Sequence, residues 1–151
     1  MTIRDHVTLL LPTGATTVPV QITYDDGEDA ACAVKITLTY DGTPYEGSGA
    51  EYLWEDAFAD LQDRLPQGVR IACCMTCRHG NMCPYGNVAD RLFCTKEQGV
   101  TSKTELAELF DNTELFTEGA VRSTDHCDDF AYRSDEHYAY NDFLYFLKRK
   151  R

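Results

Sequence analysis

The sequence predicts an α+β fold: an antiparallel β-sheet with one long packed helix, followed by a cysteine-rich C-terminal lobe of loops and helices. Three observations carry that reading. Apolar side chains alternate with polar ones in Val18, Val20, Ile22 and Tyr24, and again in Val34, Ile36, Leu38 and Tyr40. Such alternation marks strands with one buried face. Trp54, Phe58, Leu61 and Leu65 then recur at i, i+4, i+7 and i+11, which lines up one apolar helical stripe. Finally, five of the seven cysteines crowd between Cys73 and Cys94.

The elements follow in order. Residues 3–11 are apolar and β-branched enough for a first strand, broken by Pro12-Thr13-Gly14. Thr17 to Tyr24 is the second, with Pro19 expected at an edge or a bulge because proline cannot donate to a ladder. Asp25 to Asp29 has the composition of a hairpin turn. Cys32 to Tyr40 is the third strand, with Cys32 on its core face, and Asp41-Gly42 turns into a short fourth, Thr43 to Gly47. Ser48-x-x-Glu51 fits a capping box opening a helix to about Leu65, with Glu51, Glu55, Asp56, Asp60 and Asp63 on its solvated face. Pro66-Gln67-Gly68 stops it, and Val69 to Cys73 returns as a strand. Beyond lie a loop over 74–95 and a short strand, Arg91 to Cys94. A second capping box, Ser102-x-x-Glu105, opens a short helix. An irregular stretch, 112–118, precedes a last helix from His137 to Lys150. The basic ending Lys148 to Arg151 suits the negative helix terminus, a contribution under about 1 kcal/mol, so its deletion is expected to be tolerated. The organisation expected is a β-meander plus helix over 1–73 and a cysteine-knuckle and helical lobe over 74–151, packed as one globular unit.

Composition narrows the function classes. The chain is 43% hydrophobic and 11% aromatic, ample for a core. Its formal net charge is −11, which disfavours binding to nucleic acid or to an anionic membrane and reads first as a solvated acidic surface that favours solubility, a basic partner being the second reading. Tyr132, Tyr138, Tyr140 and Tyr145 read as exposed aromatics for such a contact. No run approaches the roughly 20 apolar residues of a membrane helix, and the start lacks a signal-peptide pattern. A cytoplasmic, reducing compartment is the expectation. There, an odd set of seven cysteines reads as metal ligands or free thiols.

Cys74-x-x-Cys77 is the informative pair, because two intervening residues let one turn aim both sulfurs at a single point. The expected site is one structural zinc held by Cys74, Cys77, Cys94 and Cys127. Four thiolates leave no open coordination position, so the centre is structural and not catalytic. Alternatives are Cys83 in place of Cys127, His79 or His126 in place of a cysteine, an iron–sulfur cluster, and metal-free thiols. Cys73, beside Cys74 at a strand end, belongs to the core.

The pieces Leu65–Cys74, Cys74–Gly80, Pro84–Asn87, Cys94, Cys127–Arg133 and Tyr140–Leu147 together resemble a family of small uncharacterised bacterial proteins. Their shared order is C-x-x-C, then PYGN, then a cysteine, then C-D-x-F. The resemblance implies a zinc-type site and supplies no reaction. The functional expectation is a zinc-stabilised, non-enzymatic protein that binds a protein partner. The rival is a redox or metal-dependent enzyme using the Cys73–Cys77 cluster, or an iron–sulfur protein. Metal analysis separates them.

Overall fold

The computed structural model describes residues 1–24, 34–50, 53–85 and 91–151. Along the chain run β1 (Thr2–Leu11), β2 (Gly14–Thr23), β3 (Val34–Tyr40), β4 (Thr43–Gly49), α1 (Trp54–Arg64), β5 (Arg70–Ala72), β6 (Gly80–Asn81), β7 (Arg91–Cys94), α2 (Lys103–Asp111), α3 (Thr113–Gly119), β8 (Ala120–Arg122) and α4 (Phe143–Lys150). The fold is α+β, as the patterning predicts. Two compact units emerge: Met1–Ala72 with Asp142–Arg151, and Cys73–Asn141. The last segment thus clusters with the sheet unit, whereas the sequence grouped it with the cysteine lobe.

In the first unit five strands pair antiparallel in the order β4-β3-β2-β1-β5. Register follows the alternation: Val20, Ile22, Ile36 and Leu38 lie on one face and are buried. Pro19 sits one residue beyond the β2–β3 ladder, which ends at Val20–Leu38, so its missing N–H costs that ladder no bond. The Asp41-Gly42 turn takes positive φ at both positions, the geometry of a tight hairpin. Cys32 and the turn at Asp25 to Asp29 lie outside the described residues.

Helix α1 covers the buried face. Built Cβ atoms at Gly47 and Gly49 would collide with backbone of Ala57, Leu61 and Leu53, so glycine there allows the helix to sit directly on β4. Trp54, Phe58 and Leu61 are fully buried, as their stripe predicts, and Tyr24 meets Trp54 edge-on at 5.3 Å. Burial of each large side chain contributes about 1.5–3 kcal/mol.

Two helix expectations fail. Ser48 is still in β4, and α1 begins at Trp54 with Leu53 as an N-cap that makes no side-chain bond, so the first capping box does not form at Ser48. The acids of α1 are not all solvated either. Glu55 and Asp56 are buried, because α4 packs along the side that the sheet leaves open. There Lys150 Nζ pairs with Asp56 Oδ1 at 2.8 Å, and Arg151 with Asp63 at 3.7 Å. The basic ending is therefore an ionic partner of α1 and more than a dipole cap.

The second unit holds the three-stranded sheet β6-β7-β8, with α2 and α3. The N-cap at Ser102 forms, its hydroxyl accepting from Glu105 N at 3.2 Å, while the Glu105 carboxylate accepts from Thr101 N, one residue before the cap, at 2.7 Å. The stretch expected to be irregular is α3, started by Asn112, whose side chain accepts from Leu115 N. The last helix is shorter than expected. Residues 137–141 are not helical because their polar groups are used elsewhere: Tyr140 N donates to Asn81 Oδ1 and Tyr140 O accepts from Met82 N.

Candidate functional site

The candidate site is built on the turn Cys73–Gly80. Cys77 N donates to Cys74 O at 3.3 Å and Gly80 N to Cys77 O at 3.1 Å, so the chain winds twice around one point. A Cβ at Gly80 would run into the Cys74 carbonyl oxygen, which makes glycine the residue that closes the turn. Thr76 clips the start: its hydroxyl accepts from Cys73 N and donates to Cys73 O.

Two further segments converge on this turn. Gly80 pairs with Cys94 across β6 and β7, and Thr95 N donates to His79 O at 3.0 Å. From the other direction Cys77 bridges to Tyr132, Arg78 N donates to Ala131 O, and Phe130 N closes onto Cys127 O. Lys96, two residues after Cys94, pairs with Asp129, two residues after Cys127, at 2.9 Å. The backbone thus gathers the segments of all four predicted ligands.

Electrostatics report the same gathering. Burial raises the Cys74 thiol well above its ordinary range, and the charges of Cys73, Cys77, Asp125 and Cys94 raise it further. Burial also raises Cys94; Cys77 and Cys127 add to the rise, while Lys96 opposes it. Cys73 is fully buried and pushed up to about 12, chiefly by burial, which suits an inert core thiol. Among the described residues, no three side chains of the His, Cys, Asp and Glu types stand close enough together to hold a metal ion as they are.

Of the alternative ligands, His79 lies beside the same segments, close enough to Asp129 and Lys96 to feel their charges, and His126 adjoins Cys127 in the chain. The charge of Cys83 is felt by Tyr85, whose hydroxyl donates to Asp111. His79 is pushed down by its partial burial, then by Arg78 and His137. The ring of His126 leans on Phe130 at 5.6 Å.

One organising residue escaped the sequence reading. Asn141 is buried, and its Nδ2 donates to Met75 O at 2.9 Å and Gly80 O at 3.1 Å, joining the two ends of the cysteine turn. Its placement inside an expected helix hid it. The signal was a polar Tyr-Asn-Asp run directly ahead of the apolar α4. Of the tyrosines read as exposed, only Tyr145 is; Tyr132, Tyr138 and Tyr140 are half-buried, and Tyr85 is exposed instead. No helix among the described residues is long and apolar enough to cross a membrane. Compared with known proteins, the chain matches no family model, and no curated protein is similar enough to count as a relative.

Proposed function

We propose that the unit Cys73–Asn141 is a zinc-stabilised module, with one structural zinc held by Cys74, Cys77, Cys94 and Cys127. In this reading the protein is non-enzymatic, cytoplasmic, and works by binding a protein partner. The observation that carries the metal reading is the backbone convergence of the four cysteine segments on the turn that Gly80 closes. Cys74 feels Cys77 and Cys94, and Cys94 feels Cys77 and Cys127. Thiolates brought together from these segments would repel one another, and a divalent cation would remove that repulsion.

The donor set fits zinc in kind: thiolates only, with no open position. In arrangement the described side chains do not stand as a metal-holding group, and what supports the reading is the meeting of their backbone segments. Lys96, on the flank of Cys94 and Cys127, would offset the excess negative charge of a four-thiolate centre. The redox alternative is weakened at Cys73, whose fully buried thiol is pushed up to about 12, since the thiolate is the reactive form. The partner reading rests on the acidic chain and on Tyr85 and Tyr145, which are 65% and 60% exposed.

Metal content of the purified protein decides the matter. One zinc per chain is expected, lost in Cys74→Ser and Cys127→Ser and kept in Cys32→Ser and Cys83→Ser. Zinc kept in Cys127→Ser and lost in Cys83→Ser would shift the fourth ligand. Iron with visible colour would replace zinc by a cluster, and a metal-free wild type would end the metal reading.

A further inference from the structure

The thiol unit is one chemical focus of the chain, and the sheet carries a second on the face turned away from α1. Strand alternation fixes what stands there. With Val20, Ile22, Ile36 and Leu38 inward, the outward positions include Arg4 and His6 on β1, Pro19 and Gln21 on β2, and Lys35, Thr37 and Thr39 on β3. Pro44 and Glu46 on β4 and Arg70 on β5 lie on the same face, with Thr8, Leu10, Thr17, Thr23 and Ser48. On these strand positions three permanent cations, Arg4, Lys35 and Arg70, face one carboxylate, Glu46. That balance is the reverse of a chain whose net charge is −11.

The same face holds an open, solvent-facing cavity of about 540 Å³, whose lining side chains Arg4, His6, Pro19, Gln21, Thr39 and Pro44 are exposed. Register organises its lining. Arg4, Gln21 and Thr37 form one cross-strand row, His6 and Pro19 the next, and Thr39 stands opposite Pro44. Arg4, His6 and Gln21 therefore bring polar side chains between the rings of Pro19 and Pro44, while the Thr37 hydroxyl already donates to Gln21 O at 3.4 Å. The acid in the lining, Asp5, already accepts the backbone N–H of His6 at 2.8 Å.

We propose that this cavity binds a small organic anion, a carboxylate or phosphate head on a flat apolar body. Arg4 takes the head through charge-assisted hydrogen bonds, the geometry for which a guanidinium is suited. Gln21 and His6 supply further polar contacts, and Pro19 and Pro44 hold the apolar body. The proposal is independent of the zinc reading, since none of these residues belongs to Cys73–Asn141.

The test is an amide-resolved NMR titration of the full chain with 2-naphthoate, 2-naphthyl phosphate and the neutral 2-naphthalenemethanol. Saturable shifts confined to Arg4–His6, Pro19–Gln21 flanks and Thr37–Thr39 are expected with an anion. Affinity should drop about tenfold with the neutral alcohol and in Arg4→Met, and fall as salt rises. The stronger of the two anions identifies the head group. Arg4 is exposed, so its replacement leaves the fold intact, which the unchanged spectrum elsewhere verifies. Equal binding of the alcohol, unchanged binding by Arg4→Met, or shifts that never saturate would overturn the proposal.

Discussion

The two units are held together by different forces. Buried apolar side chains dominate the first: Val20, Ile22, Ile36 and Leu38 from the sheet, Trp54, Phe58 and Leu61 from α1, and Phe143, Phe146 and Leu147 from α4. In the second the buried apolar residues described are few and small or sulfur-bearing apart from Leu92, Phe93 and Leu106. Buried polar groups stand among them: Thr76, Asn81, Thr95, Ser123, Thr124 and Asn141. The first unit is thus stabilised by area removed from water, and the second by individually placed hydrogen bonds. Area tolerates local error, because many contacts share the load. A network of single bonds does not, and it is the kind of structure for which a metal crosslink contributes most.

On the proposed zinc reading, treatment with a strong chelator is the severest test of that contrast. Zinc-linked folding is worth on the order of 10 kcal/mol. Amides of the second unit, such as Met75, Arg78 and Thr95, should lose exchange protection while those of β1 to β3 keep theirs. Equal loss in both units would show that the two do not differ as described. The matching perturbation of the first unit is Trp54→Ala. It leaves a large cavity between sheet and helix and should cost about 3–5 kcal/mol in chemical denaturation followed by circular dichroism. Wild-type tryptophan emission resembling that of indole in water would contradict the burial on which this rests.

Smaller effects follow from single polar groups. Asn141→Ala leaves the Met75 and Gly80 carbonyls without their side-chain donor, and the cost should be about 1–3 kcal/mol. An Asn141→Asp variant should be as damaging, since a carboxylate cannot donate to either carbonyl. Parity of Asn141→Asp with wild type would show that the donated bonds are unimportant. In the first unit, Lys150→Met removes the partner of an Asp56 side chain that is only 9% exposed, for about 1–3 kcal/mol. Ending the chain at Leu147 should cost at least as much. Recovery of stability in Asp56→Asn combined with Lys150→Met would confirm that the unpaired carboxylate is the cause.

The contrast between units also explains what the sequence disclosed. Period-2 and period-3.6 patterns report burial of one face, so the five strands of the sheet and the stripe of α1 were legible at once. Patterns do not report what covers the other side of a helix. Glu55 and Asp56 read as solvated because α4 approaches from far along the chain. In the second unit the elements are short and the forces are single bonds between distant backbones. Hence α3, β6 and β8 carried no periodic signal, and Asn141 was read as part of a helix. Spacing singled out the Cys74–Cys77 pair and a proposed ligand set. Its convergence rests on the Gly80 turn and on the Lys96–Asp129 pair, neither of which spacing reveals.

The mildest prediction concerns Glu105, where a polar clip of the second unit is tied to pH. Its carboxylate accepts from Thr101 N at 2.7 Å and from Thr101 Oγ1 at 2.9 Å, while Ser102 Oγ accepts from Glu105 N. Both Thr101 bonds favour the ionised form, the backbone one most, and hold the carboxyl below its ordinary 4.5. A lowered folded-state value means that the bond adds stability at pH above about 4.5. That contribution is lost as pH falls through the folded value. The side-chain carboxyl carbon of Glu105 should therefore titrate by NMR with a midpoint under 4.5, and protection at the start of α2 should weaken over the same interval. In Glu105→Gln the amide still accepts from Thr101, so α2 should persist but lose this pH response. A midpoint at or above 4.5 would mean that the Thr101 bonds are not made in solution. An unchanged pH response in Glu105→Gln would assign the effect to another carboxylate.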